Sequence, residues 1–397
     1  MQKVNTQKTP LIAMNASEAV AKSVIQSNVD FVSAYPITPQ TIIVERISDL
    51  IAGGAKATYV NVESEHSALS ACVGASLAGA RAFTATSSQG LALMHEVLYL
   101  TAGLRCPMVM AVANRALSAP LNIHGDHSDM MGSRDSGWIQ YYVENVQESY
   151  DWIMQGYRVA EDERVLTPVT INMDGYVITH SVEPMSLIDQ ATINQFLPDR
   201  TPKLKIDILN PMTFGPVALP DYYTEFKRQQ EEGMRNTPKV FEQVTDEFAQ
   251  LTGRHYHQLV PFELDDAKVV VVSLGSASGT VRWVTRSLRK KGLPVGALRV
   301  GLFRPFPHDE FAKLVANVDV VVVLERALSL GSHCGPLASE VVCSLYNRPT
   351  QPRVLDVVAG LGGRDLAPDT IEQLFRAGLD AASNTSGLEM QFMGVRE

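Results

Sequence analysis

Glu65 is a carboxylate residue at the predicted start of a helix. It lies just after a short predicted strand and begins a segment rich in Ala, Gly and Ser, against which another group is expected to pack closely. A carboxylate buried at such a position has a shifted pKa and can hold a proton for a cofactor ring. The alternative is that Glu63 and Glu65 only interact favourably with the positive end of the helix dipole.

The segment from Ala34 to Pro39 places a hydroxyl group and free backbone N–H groups at a predicted strand-to-helix turn. The start of a helix carries partial positive charge and unpaired N–H donors, so this turn can bind an anion. The alternative is that Thr38 serves only as the N-cap of a helix whose first residue is Pro39.

Arg115 follows an apolar stretch, residues 107–113, that we predict to be a buried strand. In open α/β sheets, ligands bind at the carboxyl ends of the strands, which is where this arginine is expected. Its planar guanidinium can bind a carboxylate through two parallel hydrogen bonds. A structural ion pair is the alternative.

The segment from His124 to Asp129 offers two imidazoles and two carboxylates, but their spacing matches no metal-ligand pattern. We predict that this polar loop orders an active site and that the chain holds no metal. The neighbouring segment 134–138 supplies a charge pair and a turn glycine, or is a simple surface loop.

Several common chemistries are excluded by missing motifs. The sequence contains no G-x-S-x-G elbow, Walker A loop or H-E-x-x-H helix, and the glycines at 360–363 lack dinucleotide-loop spacing and predict a tight turn. Its cysteines, Cys72, Cys106, Cys334 and Cys343, form no C-x-x-C pair. Any electron transfer linked to this chain therefore requires iron–sulfur clusters held elsewhere.

The composition indicates which kinds of partner the protein is not expected to bind. The formal net charge of -9 disfavours nucleic-acid binding, which depends on clustered Lys and Arg. We find neither an N-terminal targeting pattern nor an apolar stretch long enough to span a membrane, and we expect a cytoplasmic protein.

The elements that must position these residues form two α/β patterns. In the first half we predict strands at 31–34, 58–62, 82–85 and 107–113, and helices beginning near Asn15, Thr38, Glu65 and Ser87. In the second half we predict strands at 268–274, 296–300, 318–324 and 353–358 and a helix at about 280–291. A surface connection with a helix around 222–234 separates them.

Three motifs, in this order and spacing, resemble the α subunit of the pyruvate:ferredoxin oxidoreductase family. They are Tyr-Pro-Ile-Thr-Pro-Gln-Thr at 35–41, Glu-Ser-Glu-His-Ser-Ala at 63–68 and Ala-Asn-Arg-Ala-Leu-Ser at 113–118. The resemblance continues at 125–129, 135–140, 161–166, 303–307 and 360–365, so it covers nearly the whole chain.

The resemblance implies an α/β fold with a doubly wound, pyrimidine-type thiamine diphosphate domain at residues 1–240. A linker at 241–261, a smaller transketolase C-terminal-like domain at 262–383 and a tail at 384–397 would follow. Glu65 would touch N1′ of the cofactor's aminopyrimidine and promote loss of its C2 proton, and Pro36 and Ile37 would also contact the cofactor. Thr38 and Arg115 would hold the carboxylate of a 2-oxoacid and, with Glu65, act in catalysis.

The resemblance also implies partners. Because the G-D-G…N-N pattern that binds the diphosphate is absent, a β-type subunit would supply Mg²⁺ and the diphosphate site. A γ-type subunit and a ferredoxin-like δ subunit or domain carrying [4Fe-4S] clusters would complete the complex. Coenzyme A would accept the acyl group, and ferredoxin would accept the electrons.

Pyruvate is the expected substrate, because the motif at 35–39, the loop at 123–127 and residues 393–397 look most like the pyruvate enzymes. Branched-chain or aryl 2-oxoacids such as phenylglyoxylate are alternatives. Two other classes stay open: a transketolase or 2-oxoacid dehydrogenase component, and a nucleotide-binding or flavoprotein module on the same type of sheet.

Overall fold

The computed structural model describes residues 10–383 and 390–396. The predicted tail, 384–397, lies largely outside these residues. The first half contains the following elements in chain order: β1 (Leu11–Met14), α1 (Ala16–Gln26), β2 (Phe31–Ala34), α2 (Thr41–Ala52), β3 (Thr58–Asn61), α3 (Glu65–Leu77), β4 (Ala82–Thr86), α4 (Ser88–Leu93), α5 (His95–Gly103), β5 (Val109–Asn114), α6 (Ser128–Met131), β6 (Ile139–Tyr142), α7 (Val146–Glu161), β7 (Val169–Asp174), α8 (Val177–His180), β8 (Glu183–Ser186), α9 (Gln190–Phe196) and α10 (Pro220–Thr252).

The second half continues with these elements: β9 (Leu259–Phe262), β10 (Val269–Leu274), α11 (Ala277–Lys290), β11 (Val295–Val300), β12 (Leu302–Arg304), α12 (His308–Leu314), β13 (Val320–Glu325), α13 (Pro336–Leu345), β14 (Arg353–Val358), a 3₁₀ turn (Leu361–Gly363), α14 (Pro368–Ser383) and β15 (Gln391–Phe392). The strands predicted from the sequence are all present, with ends shifted by at most two residues.

The first domain is built on a sheet with the strand order β12-β6-β7-β5-β4-β2-β3. The strands from β6 to β3 are parallel, and β12 joins the edge in the antiparallel direction. Helices α1, α2 and α7 cover one face, and α3 and α5 cover the other. The predicted doubly wound sheet is therefore confirmed.

Strand β5 shows why the sequence folds in this way. All six of its residues, Val109–Asn114, are buried, as expected for a strand covered by helices on both sides. Helix α1 begins where the Asn15 side chain accepts a hydrogen bond from the backbone N–H of Glu18, the N-cap arrangement expected from the sequence.

The second domain has the strand order β15-β14-β13-β10-β11-β9. All neighbours are parallel except β9, which pairs with β11 in the antiparallel direction. The Val-rich strands β10 and β13 lie between two apolar clusters, one on each face. Because β12 pairs with β6, the second half of the chain also completes the sheet of the first domain.

Two predicted helix boundaries are wrong. The Thr38 N-cap does not form, because the Gln40 side chain accepts from the N–H of Ile37 and donates to the carbonyl of Ala85, and α2 begins only at Thr41. The helix expected at 222–234 instead spans Pro220–Thr252. Its second half packs into the first domain's core, so the predicted linker at 241–261 contains its last turns.

Candidate active site

The predicted site residues lie at one edge of the first sheet. Strands β2, β3 and β5 all end there, and they are followed by Thr38, Glu65 and Arg115 respectively. The structure therefore places all three at the carboxyl ends of parallel strands, the usual ligand edge of an open α/β sheet.

Glu65 is the first residue of α3 and is 6% exposed. Its side chain packs against Gly90, where an added Cβ would lie 2.5 Å from the Glu65 Oε1. The adjacent Thr86 hydroxyl is buried without a hydrogen-bond partner. Within residues 10–383 and 390–396, the Glu65 carboxylate forms neither a hydrogen bond nor an ion pair. It is a buried acceptor that can bind a ligand.

Glu63 and Glu65 differ in exposure and in hydrogen bonding. This difference distinguishes the two interpretations of the sequence, a contact with the helix dipole and a contact with a cofactor ring. Glu63 is exposed, and its carboxylate accepts a hydrogen bond from the Ser67 hydroxyl at 2.5 Å, which lowers the pKa of Glu63. Glu63 therefore makes the local polar contacts expected of a helix start, whereas the buried carboxylate of Glu65 has no such partner.

Arg115 is 6% exposed and is held by backbone carbonyls. Its Nε donates to the carbonyl of Asn122 at 3.0 Å, and its Nη1 donates to the carbonyl of Thr38 at 2.8 Å. No carboxylate pairs with this guanidinium in the described part of the chain, so the ion-pair alternative is not observed. Nη2 is left without a hydrogen bond there and can bind an anion.

The turn that carries Thr38 is open to solvent. Pro36 and Thr38 are exposed and Ile37 is half-buried, although each belongs to the predicted site. A shallow cavity of about 290 Å³ begins at Pro36 and extends along α2 to β3. The buried Glu65 and the open turn therefore lie at the same edge of the sheet, and the turn is uncovered in the described part of the chain.

Asp129 is a buried residue that organises this edge. Its carboxylate accepts hydrogen bonds from the backbone N–H groups of Ser88, Arg115 and Met130 and from the Asn114 side chain. Burial raises the pKa of Asp129 to about 6, although the bonds from Asn114, Arg115 and Ser88 favour its charged form. The sequence indicated its loop as ordering a site, but did not single out this residue.

Asn122 connects Arg115 to the second domain and was missed by sequence reasoning. Its carbonyl accepts from Arg115, while its Nδ2 donates to the carbonyl of Gly362 at 2.9 Å. The N–H of Gly362 donates in turn to the Asp126 carboxylate at 3.0 Å. The glycine turn predicted at 360–363 therefore supports the loop that holds the arginine.

A buried ionic cluster joins the two domains next to this loop. Asp174, at the end of β7, accepts from His127 Nε2 and from Arg326 Nη1, both at 2.7 Å. Its other oxygen accepts from the Ser276 N–H. Burial alone would raise the pKa of Asp174, but Arg326 and His127 hold it well below its usual value. His127 therefore serves in this clamp between the domains.

Among residues 10–383 and 390–396, no group of three or more His, Cys, Asp or Glu side chains is arranged to hold a metal ion. Across the same residues, no helix is both long and apolar enough to cross a membrane.

Two solved structures share the fold of this chain. A 2-oxoglutarate:ferredoxin oxidoreductase from Magnetococcus marinus superposes with a TM-score of 0.72 at 21% identity, covering 94% of this chain and 66% of its own. The inactive β4 tetramer of a split-gene transketolase gives a TM-score of 0.52 at 12% identity over 92% of this chain and 98% of its own. These similarities establish the fold class.

Sequence comparison defines the family. Residues 22–246 match the pyruvate flavodoxin/ferredoxin oxidoreductase thiamine diphosphate-binding family, and residues 267–371 match pyruvate:ferredoxin oxidoreductase core domain II. The pyruvate synthase subunits PorA of Thermotoga maritima and Methanocaldococcus jannaschii are each 45% identical over 97% of this chain and 98% of their own. The ketoisovalerate oxidoreductase subunit VorA of Pyrococcus abyssi is 40% identical over 91% of both chains. The chain belongs to the pyruvate:ferredoxin oxidoreductase family.

Proposed function

We propose that this chain is the α-type subunit of an enzyme that oxidatively decarboxylates pyruvate to acetyl-CoA and CO2 and passes the electrons to ferredoxin. The observation that carries the proposal is that two buried charged side chains without an oppositely charged partner in the described residues lie at the same edge of the sheet. Glu65 is a buried carboxylate with no polar partner in the described residues, and Arg115 is a buried cation with no carboxylate partner there.

The residues at this edge fit thiamine diphosphate. Glu65 offers a buried acceptor, and the absence of a side chain at Gly90 lets that carboxylate pack directly against the backbone of α4. The cofactor, when bound, supplies a carbon nucleophile and holds the electrons released by decarboxylation. Glu65 would share a proton with N1′ of its aminopyrimidine, and Pro36 and Ile37 would line the same part of the site.

Arg115 and Thr38 would bind the carboxylate of the 2-oxoacid. The Arg115 Nη2 is unused, and the Thr38 hydroxyl is exposed without a hydrogen bond in the described residues. Because the Arg115 Nη1 donates to the Thr38 carbonyl, the two groups are held close together. A charge-assisted hydrogen bond from Arg115 would orient the oxoacid and keep its carboxylate away from bulk water.

Partner subunits are required by this proposal. The relatives are named as subunits. We propose a β-type subunit that brings Mg²⁺ and the diphosphate site, a γ-type subunit, and a ferredoxin-like δ subunit or domain with [4Fe-4S] clusters. The exposed turn at Pro36 and Thr38 and the lack of C-x-x-C pairs in the sequence support this division. The cytoplasmic location stays a prediction.

The names of the relatives indicate two different substrates. Pyruvate synthase subunits are 45% identical to this chain, and a ketoisovalerate oxidoreductase subunit is 40% identical. Pyruvate is therefore the first candidate and 3-methyl-2-oxobutanoate the second. The deciding experiment is to purify the assembled complex, measure bound thiamine diphosphate and iron, and compare kcat/KM for the two oxoacids with CoA present. A complex without thiamine diphosphate, or one that oxidises neither acid, would contradict the proposal.

A further inference from the structure

A segment of the first domain exposes an unusual amount of apolar surface. We call residues 199–226 the arm; it comprises the irregular chain before α10 and the first turns of that helix. Single exposed apolar residues are ordinary, but a cluster of them marks an interaction surface. The exposed large apolar residues of the arm are Leu204, Ile206, Ile208, Leu209, Met212, Val217, Leu219, Tyr222, Tyr223 and Phe226.

The arm lies across the C-terminal ends of α3 and α5. The N–H of Ile206 donates to the carbonyl of Leu77, the last residue of α3, at 2.7 Å. Gly215 lies against Leu104, immediately after α5. A cavity of about 570 Å³ lies between the arm and these helix ends, so the contact within the chain is incomplete.

The same two helices begin at the candidate active site. Glu65 is the first residue of α3, and the neighbouring His66 lies 3.9 Å from the Glu96 carboxylate in the first turn of α5. Between His66 and Leu77, the solvent-accessible residues of α3 are all small, and an added Cβ at Gly74 would meet no atom within 4 Å. An open, closely approachable surface therefore runs from Glu65 to the arm, a distance of about 20 Å for a helix of this length.

We propose that this surface and the arm bind the subunit that supplies the diphosphate half of the cofactor site. The inference rests on the proposed function. A chain that completes the cofactor site must cover the start of α3, and the small-residue face of that helix leads directly from there to the arm.

The size of the interface explains the need for the arm. A stable interface buries roughly 800 Å² on each partner. Helices α3 and α5 are about 20 Å and about 14 Å long and each is about 10 Å wide, so together they present only about 340 Å² of flat surface. The arm adds apolar area at the end of the face far from Glu65, where Ile208, Leu209 and Val217 are 90%, 85% and 91% exposed.

The test is a triple substitution in the arm, Ile208→Asp with Leu209→Asp and Val217→Asp. These side chains are almost fully exposed, so the chain should fold with unchanged circular dichroism and Tm. Tyr346→Asp in the second domain, where the tyrosine is 74% exposed, is the matched control. Both variants are co-expressed with the partner subunits, and assembly is measured by sedimentation and by co-purification on a tagged partner.

We expect the arm variant to associate at least tenfold more weakly with the diphosphate-site subunit, while the control assembles normally. Normal association of the arm variant with that subunit would overturn the inference. So would a selective loss of self-association, or of contact with another subunit, because the arm would then have a different occupant. If the unmodified complex assembles but binds no thiamine diphosphate, the proposed function fails. The docking inference is tested separately, because it is measured by assembly and not by cofactor binding.

Discussion

Arg115 donates a hydrogen bond from Nη1 to the carbonyl oxygen of Thr38, and the two atoms are 2.8 Å apart. The arginine follows β5 and the threonine follows β2, so the bond crosses the end of the intervening strand β4. It joins the two residues proposed to bind the substrate carboxylate. Truncating Arg115 therefore removes a contact that holds the Thr38 backbone in place.

Arg115→Ala in the assembled complex should lower kcat/KM for the oxoacid by roughly ten- to hundredfold or more. Losing a hydrogen bond to a charged group costs about 1.5–3 kcal/mol. Arg115→Lys should restore only part of the activity, because an ammonium group cannot reproduce the planar guanidinium. Steady-state kinetics and thiamine diphosphate binding are the measurements. Loss of assembly or of cofactor binding, with KM unchanged in the remaining complex, would show that the arginine is structural.

Glu65→Gln should slow the exchange of the cofactor's C2 proton in the complex by about 10²–10⁴, the usual contribution of a positioned proton-transfer group. The amide has nearly the same shape, so folding and assembly should be retained. Glu63→Gln, two residues away and exposed, is the matched control and should leave exchange unchanged. Exchange is followed by NMR in deuterated buffer. Normal exchange in Glu65→Gln would remove this residue from the mechanism.

The chain alone should show no activity, even with thiamine diphosphate and Mg²⁺ added. One side of the candidate site is open at Pro36 and Thr38, and the sequence has no C-x-x-C pair for a cluster. The assay is oxoacid-dependent reduction of a viologen dye, with the complete complex as the positive control. Any such reduction by the pure chain contradicts the proposed division between subunits.

The sequence was sufficient for features that depend on neighbouring residues. Buried parallel strands such as β5 are recognisable from an unbroken apolar run, and Arg115 could be placed at a strand end from that pattern alone. The N-cap at Thr38 was wrong because the Gln40 side chain bonds to Ala85, on a different strand. Asn122 was missed because its partner, Gly362, is 240 residues away. Such contacts leave no local pattern.

Asp129 should give the protein a measurable pH dependence of stability. Burial raises its pKa to about 6, against about 3.9 in the unfolded chain. Between about pH 4 and about pH 6 the folded state therefore binds more protons at Asp129 than the unfolded state does. The contribution of Asp129 to stability is about 3 kcal/mol below about pH 4, and it is lost as the pH rises through about 6.

Asp129→Asn removes this titration while keeping the side-chain shape. The difference in unfolding free energy between wild type and variant, measured by urea titration of the isolated chain, should fall by about 3 kcal/mol between pH 4 and pH 7. A difference that stays constant, or rises with pH, would show that folding does not raise the pKa of Asp129.

Asn122→Ala should raise KM for the oxoacid several-fold with kcat within about twofold of wild type. The substitution removes the bond from Nδ2 to the Gly362 carbonyl and the bond that Oδ1 accepts from the His124 N–H. Each is worth about 0.5–1.5 kcal/mol, so the Asn122 carbonyl that holds the Arg115 Nε should become mobile. Asn122→Asp keeps the acceptor for His124 but cannot donate to Gly362, so an intermediate KM is expected.

Asn194→Ala is the matched control for this experiment. Asn194 also makes side-chain hydrogen bonds, to Asn28 and Gln190, but it lies in α9, away from the Arg115 loop. The Asn194→Ala variant should leave KM unchanged. Measuring the Tm of each complex distinguishes loosening of the Arg115 loop from general destabilisation. If Asn122→Ala lowers Tm while KM stays at the wild-type value, the contact between the domains is structural and does not position Arg115.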